Sequence, residues 1–280
     1  MDEKRFFEKA KVPYQRSKEE VWDELSGKLS EKPARKDSAP VVRMARRLMI
    51  AGIAASVLVF LSIGLFLRFH TERVSVPNGQ HLTYYLPDSS KIDLNARSAL
   101  SYNPYWWKFN RNIRFEGEGY FEVREGSTFT VNSQNGTTEV LGTSFNIYSR
   151  NEDYTVACIT GKVKVKSRSD ESVVLGPGYE ASVNEKGNIS VEKKIRPEKA
   201  ISWTEGMFNF TGMPLLEVIE EIERQYDVVI LINEEPGLSY TGLFSMDKPV
   251  EEVLGLICKP FGLTFVEKSD GVYQLLNNDQ

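Results

Sequence analysis

The feature that most constrains this chain is an uncharged run of 20 residues from Leu48 to Leu67, LMIAGIAASVLVFLSIGLFL. As a helix rising about 1.5 Å per residue it would reach roughly 30 Å, the thickness of a bilayer's hydrocarbon core. Arg43, Arg46 and Arg47 precede the run and Arg68 follows it. The excess of Lys and Arg before the run predicts that the N-terminal side stays in the cytoplasm. A buried core helix of this length would show a polar stripe, and none is visible. A leading segment of 47 residues is long for a signal-peptide n-region, and no A-x-A pattern follows the run. The expectation is an inner-membrane protein with a single span over 48–67, its tail (1–47) cytoplasmic and its larger part periplasmic.

Charge agrees with two compartments. Residues 1–47 carry 13 Lys/Arg against 9 Asp/Glu, whereas the remainder carries 22 against 30. An acidic body offers no concentrated basic surface, so direct nucleic-acid binding is not expected. His70 and His81 are the only histidines, and Cys158 and Cys258 the only cysteines. That supply is too thin for a conventional metal site or a Ser-His-Asp triad, and no cofactor is expected. Each cysteine falls in an apolar segment, TVACITG or VLGLICKPF, and two buried small hydrophobes are expected rather than a disulfide. Carboxylates are plentiful, but no spacing among them points to an enzyme.

The tail contains SKEEVWDELSGKL (17–29). Ser17 and Glu20 have the spacing of a capping box, and Val21, Trp22, Leu25 and Leu29 recur along one helical face. About three turns with one Trp cannot fold alone, so that face needs a cover. The outlets are a membrane surface or a partner's groove. Glu19, Glu20, Asp23 and Glu24 on the polar side favour the partner. Phe6, Phe7 and Val12 would extend the contact, and EKPARKDSAP (31–40) reads as a flexible linker.

Beyond the span, residues 74–195 alternate with period two between turn signals such as PNG, PDSS, SQNG and GPG. This predicts an all-β domain, whether a sandwich, a barrel or a solenoid-like stack. Tyr105, Trp106 and Trp107 form its aromatic cluster, read as a cap over one end of the core or a sugar-stacking platform. Residues 203–277 then repeat themselves at an offset of 35. PLLEVIEEI from Pro214 matches PVEEVLGLI from Pro249, with Val218 on Val253, Ile222 on Ile257, Tyr226 on Phe261 and Ile230 on Phe265. Each copy reads strand, Pro-started helix, strand, giving two βαβ-like units and an α+β chain overall. Such a unit has sheet edges on which another chain's strand could pair.

The segments LPDSSKIDLNARSALSY (86–102), FEGEGYFEV (115–123), VLGTSFNIY (140–148), GKVKV (161–165) and LGPG (175–178) resemble the FecR family of anti-sigma factors, in the form common in Bacteroidetes. WTEGMFNFTGMPLLEVIEEIERQYDV (203–228) and YTGLFSMDKPVEEVL (240–254) resemble its C-terminal domain. That domain is similar to the short STN-like signalling domain of secretins and TonB-dependent transporters. One departure is LPDSS, where the family usually has glycine after the aspartate.

The resemblance implies that the tail holds an extracytoplasmic-function sigma factor through Val21, Trp22, Leu25 and Leu29. It implies release when the signalling domain of a TonB-dependent outer-membrane transporter engages the periplasmic part, often through membrane proteases. Gly52, Ser56, Ser62 and Gly64 would then ease unwinding within the span, or be ordinary small residues. Some relatives cut themselves between Gly and Thr, here Gly142 and Thr143, where a strained peptide would let the hydroxyl attack the preceding carbonyl. Parity is ambiguous at that point. Either Val140 faces inward and a slip precedes Phe145, or Leu141, Thr143, Phe145 and Ile147 alternate unbroken. The alternative to the relay is a membrane-tethered periplasmic module for glycan or peptidoglycan, resting on residues 105–107.

Overall fold

The computed structural model describes residues 16–30, 40–194, 196–232 and 237–277. Phe6, Phe7, Val12 and the linker 31–39 lie outside them. The first helix, α1 (Lys18–Ser30), is followed by α2 (Pro40–Phe69), a continuous helix whose 26 residues from Met44 to Phe69 are apolar enough to cross a membrane. None of that span is buried by protein. Its Ser56 and Ser62 hydroxyls donate back to the carbonyls of Ile53 and Leu58 at 2.8 Å, so their polarity is absorbed within the helix.

Alternating sequence after residue 71 becomes β1 (Glu72–Val76), β2 (Leu82–Tyr85), β3 (Lys91–Leu94), β4 (Ser98–Tyr102), β5 (Arg111–Glu122), β6 (Phe129–Asn132) and β7 (Gly136–Val140). It continues through β8 (Ser144–Arg150), β9 (Asp153–Thr160), β10 (Val163–Ser167), β11 (Ser172–Leu175), β12 (Tyr179–Val183) and β13 (Ile189–Lys193). The first half of β5 pairs with β4 and β6; its second half pairs with β3 and β8. One long strand therefore belongs to two sheets. The first also contains β1, β7, β10 and β11, and the second β2, β9, β12 and β13. Both sheets point apolar side chains into one cluster that includes Leu94, Leu100, Ile113, Phe121, Phe145, Val156 and Val165. The β domain is thus a sandwich. A solenoid would need parallel stacking, whereas only the β5–β6 pairing in this domain is parallel.

The strand changes sheets at Gly117, which has φ +107, and a Cβ there would lie 2.6 Å from the Ser98 backbone. Only glycine fits both conditions. The Ser98 hydroxyl donates to the Glu118 carbonyl and accepts from the Glu118 N–H, both at 3.0 Å, and the Asn95 N–H adds a third bond at 3.0 Å. Two residues on, Gly119 leaves room for Phe115, whose ring meets Phe121 edge-on at 5.3 Å.

The start of β5 is pinned by an ion pair between buried Arg111 and half-buried Asp88. Arg111 donates to Asp88 through Nε at 2.7 Å and also through Nη2, and its guanidinium reaches the carbonyls of Ser127 and Arg124. Asp88 belongs to the LPDSS turn, and the next residue, Ser89, takes φ +63. A glycine would suit that left-handed position; the serine holds it under mild strain. Ser89→Gly is expected to leave stability within about 1 kcal/mol of the parent or raise it, while Ser89→Val lowers it by roughly 1–2 kcal/mol. Thermal unfolding of the detergent-solubilised chain measures both.

The C-terminal part contains β14 (Met207–Pro214), α3 (Leu215–Tyr226), β15 (Val229–Leu231), β16 (Ser239–Ser245), α4 (Val250–Cys258), β17 (Leu263–Ser269) and β18 (Val272–Asn277). Pro214 and Pro249 cap the two helices with near-identical backbone angles. The expected βαβ arrangement needs a correction, because the two strands of each copy lie in different sheets. The leading strands β14 and β16 pair antiparallel with each other, while β15 and β17 flank β18. Both helices bury an apolar face in the core that the two sheets share, with Val218, Ile222, Val253 and Ile257 fully enclosed. This second cluster shares no member with the first. Cys158 lies in one and Cys258 in the other, both buried and free, with burial pushing each thiol up to about 11.

Candidate functional sites

The capping box of α1 is formed in both directions. The Glu20 N–H donates to Ser17 Oγ at 3.2 Å, and the Ser17 N–H donates to Glu20 Oε2 at 3.1 Å. Lys28 pairs with Glu24 one turn back at 2.8 Å. Trp22 is 72% exposed and Leu29 79%; Leu25 is exposed and Val21 partly so. No residue of the helix is buried. Capping and charge pairs thus shape a helix whose apolar stripe is uncovered.

Gly142 and Thr143 fall in the connection between β7 and β8. Val140 is buried and Leu141 exposed, so Val140 faces inward and the slip is taken up before Phe145. The β8–β9 ladder is irregular at the same place, between Ser144 and Phe145. The Thr143 backbone exchanges hydrogen bonds with Val123, and its buried hydroxyl donates to the Lys162 carbonyl at 3.0 Å. A Cβ on Gly142 would lie 2.8 Å from Glu125 Cα. Neither residue has positive φ, so the connection is tightly packed rather than twisted into a left-handed conformation.

The cluster at 105–107 divides. Trp107 turns into the core, edge-on to Tyr102 at 5.3 Å and Phe129 at 5.7 Å, and caps it. Tyr105 points outward, so the cluster is not a continuous stacking platform.

A site that sequence reasoning missed joins the β domain to the C-terminal part. Glu118, one residue past the Gly117 bend, accepts from Asn146 Nδ2 at 3.0 Å and Asn95 Nδ2 at 2.8 Å. Asn146 Oδ1 accepts from the buried Trp203 indole at 3.3 Å, and Asn95 Oδ1 accepts from Gln225 Nε2 at 2.7 Å. Gln225 also donates to Glu221 and meets His81 Nε2 at 2.8 Å; Glu221 holds Arg224 at 2.9 Å. The β1–β2 turn completes the seam, with the Gly79 N–H on the Arg224 carbonyl and Asn78 on Asp227. Nothing in the sequence marked these polar residues as neighbours; the only local sign is a glutamate set between two strand glycines. A cleft of about 830 Å³ opens along the seam, with Glu118, Asn146, Trp203, Phe208 and Glu217 in its walls.

The seam carries more acid than base. Burial, then repulsion from Glu221, pushes the Glu118 carboxyl up to about 7, against the pull of Arg150 and the two asparagines. Asp153 and Glu217, which both line the cleft, are also raised, by burial first and by neighbouring carboxylates second. A carboxyl that holds its proton more tightly in the folded state gains that proton on folding. Its contribution is therefore fully present below the ordinary carboxylate range and is lost as pH rises from there through about 7. Thermal stability of the full chain is expected to fall between pH 5 and 8, by an amount equivalent to roughly 1–3 kcal/mol, and Glu118→Gln is expected to flatten that slope. Melting curves across this range check both.

Comparison with known proteins fits this architecture. The family model described as FecR protein matches residues 72–164, and the one described as FecR, C-terminal matches 207–274. This chain belongs to the FecR family. Two crystal structures of a candidate anti-sigma factor from Parabacteroides distasonis ATCC 8503 superpose with a TM-score of 0.69 at 27% identity. They cover 75% and 74% of this chain and all of their own chains. No curated protein matches. In FecR terms, the polar seam joins the FecR domain to its C-terminal partner domain.

Proposed function

We propose that this FecR protein is a transmembrane anti-sigma factor that sequesters an extracytoplasmic-function sigma factor and releases it on a periplasmic signal. The reading is carried by the FecR match joined, in one chain, to a membrane-crossing helix and an uncovered amphipathic helix before it. The Lys/Arg excess ahead of α2 supports an inner-membrane topology with α1 in the cytoplasm. There, Val21, Trp22, Leu25 and Leu29 would seat in a groove of the sigma factor, as amphipathic helices do. On the other side, the signalling domain of a TonB-dependent transporter would engage the C-terminal domain. The free edges of its two small sheets, and the exposed Leu243 on β16, suit strand pairing. Membrane proteases would complete release.

Large exposed aromatics dominate such contacts, with losses of about 2 kcal/mol or more on truncation. The full chain in lipid nanodiscs, titrated with the sigma factor encoded beside its gene, is expected to bind at submicromolar concentration. Trp22→Ala should weaken that binding at least about 30-fold. Absence of binding by the parent chain would sink the relay and favour the alternative periplasmic binding module.

A second reading adds one self-cleavage event between Gly142 and Thr143. What favours it is the enclosure of the pair: glycines at 142 and 161 bring backbone close on both sides, and the Thr143 hydroxyl is buried beside them. Attack by that hydroxyl on the Gly142 carbonyl carbon would break the Gly142–Thr143 amide, protonate the Thr143 nitrogen and leave an ester for water to open. The expected result is two fragments from the wild type in denaturing gels and one from Thr143→Ala. A single full-length wild-type band rules it out.

A further inference from the structure

The loop between β4 and β5, Asn103–Asn110, lies against the end of α2. Asn103 Nδ2 donates to the carbonyls of Leu67 at 3.0 Å and Arg68 at 2.8 Å. These belong to the helix's last turn, where carbonyls have no partner within the helix. The Asn103 side-chain oxygen accepts from the N–H groups of Tyr105 and Trp106 at 3.0 and 2.9 Å, which sets the loop's turn. Ring contacts continue from there. Tyr105 lies 5.3 Å from His70 and 6.3 Å from Phe66, and the Arg68 guanidinium sits 5.3 Å over Trp106. Trp106 in turn meets Phe109 at 5.1 Å.

Burial separates the loop's aromatics by role. Trp107 belongs to the core, whereas Phe109 is 75% exposed, Tyr105 53%, and Trp106 partly so. Phe66 and Phe69 of the helix are exposed beside them. Position identifies what covers this patch. The apolar span runs to Phe69, and a loop bonded to residues 67 and 68 lies within about one helical turn, some 5 Å, of its end. Tyr and Trp favour that depth, where the ring meets acyl chain and its polar edge meets water. Arg68 and the exposed Lys108 supply cations for lipid phosphates.

We propose that the Asn103–Asn110 loop is a membrane-interface anchor, seating Tyr105, Trp106 and Phe109 among the lipid headgroups of the bilayer that α2 crosses. The same loop, through Asn103, fastens the helix exit to the β sandwich, so a displacement of the sandwich is felt at the end of the span. This rests on reading α2 as a span, and the test keeps the two apart.

The full chain, carrying Trp22→Phe to silence the tail indole, is reconstituted in phosphatidylethanolamine–phosphatidylglycerol vesicles containing lipids brominated near the headgroup. The quenched share of tryptophan emission is expected to fall at least about twofold when Trp106→Phe is added. Equal quenching with and without Trp106, in protein that resists alkaline carbonate extraction, overturns the anchor while leaving the span intact. Release by carbonate overturns the span and the anchor together. Trp106 emission that ignores brominated lipid and shifts instead with soluble peptidoglycan fragments overturns the anchor in favour of a sugar platform.

Discussion

The rest of the structure depends on β5 serving two sheets at once. A strand of 12 residues can do so only if it turns sharply midway, and Gly117 at φ +107, packed against the Ser98 backbone, supplies the turn. The bend decides which face each later residue meets. Phe121 enters the shared core, stacked 5.1 Å from Phe145. Glu118 is carried outward to the seam, with its backbone tied by Ser98 and its carboxylate left to the asparagines. Sandwich closure and the junction with the C-terminal domain therefore share a cause.

Within the seam, each group depends on its neighbour. Glu118 orients Asn95 and Asn146; they in turn receive Gln225 and Trp203. Removing one member would strand several buried donors and acceptors, which costs more than the bond itself contributes. Burial and the neighbouring Glu221 both push the Glu118 carboxyl toward its protonated form, against the pull of Arg150.

Much of this was legible in the residues. The span, the capping box at Ser17 and Glu20, the alternating strands and the 35-residue repeat are local patterns, and local patterns survive folding. Pairing is not local. That β14 would pair with β16 rather than sit beside β15 depends on how two helices divide a core, which no spacing encodes. The aromatic triplet shows the same limit: Trp106 and Trp107 are neighbours of the same type, yet one joins the core and the other the helix exit, because the turn set by Asn103 separates them. The seam was invisible for the plainest reason. Asn95, Glu118, Asn146, Trp203 and Gln225 are scattered over 130 positions, and polar residues carry no periodic mark of burial.

The two hydrophobic clusters share no residue, and the side-chain hydrogen bonds that cross from one lobe to the other run through amides, a carboxylate, an imidazole and the Trp203 indole. Were the C-terminal domain drawn away, the groups in these bonds would be met by water, while Trp203 and the apolar walls of the cleft would lose cover. Each lobe would keep its own core. A joint held by polar bonds between separate cores resists separation less than one in which a single core is shared.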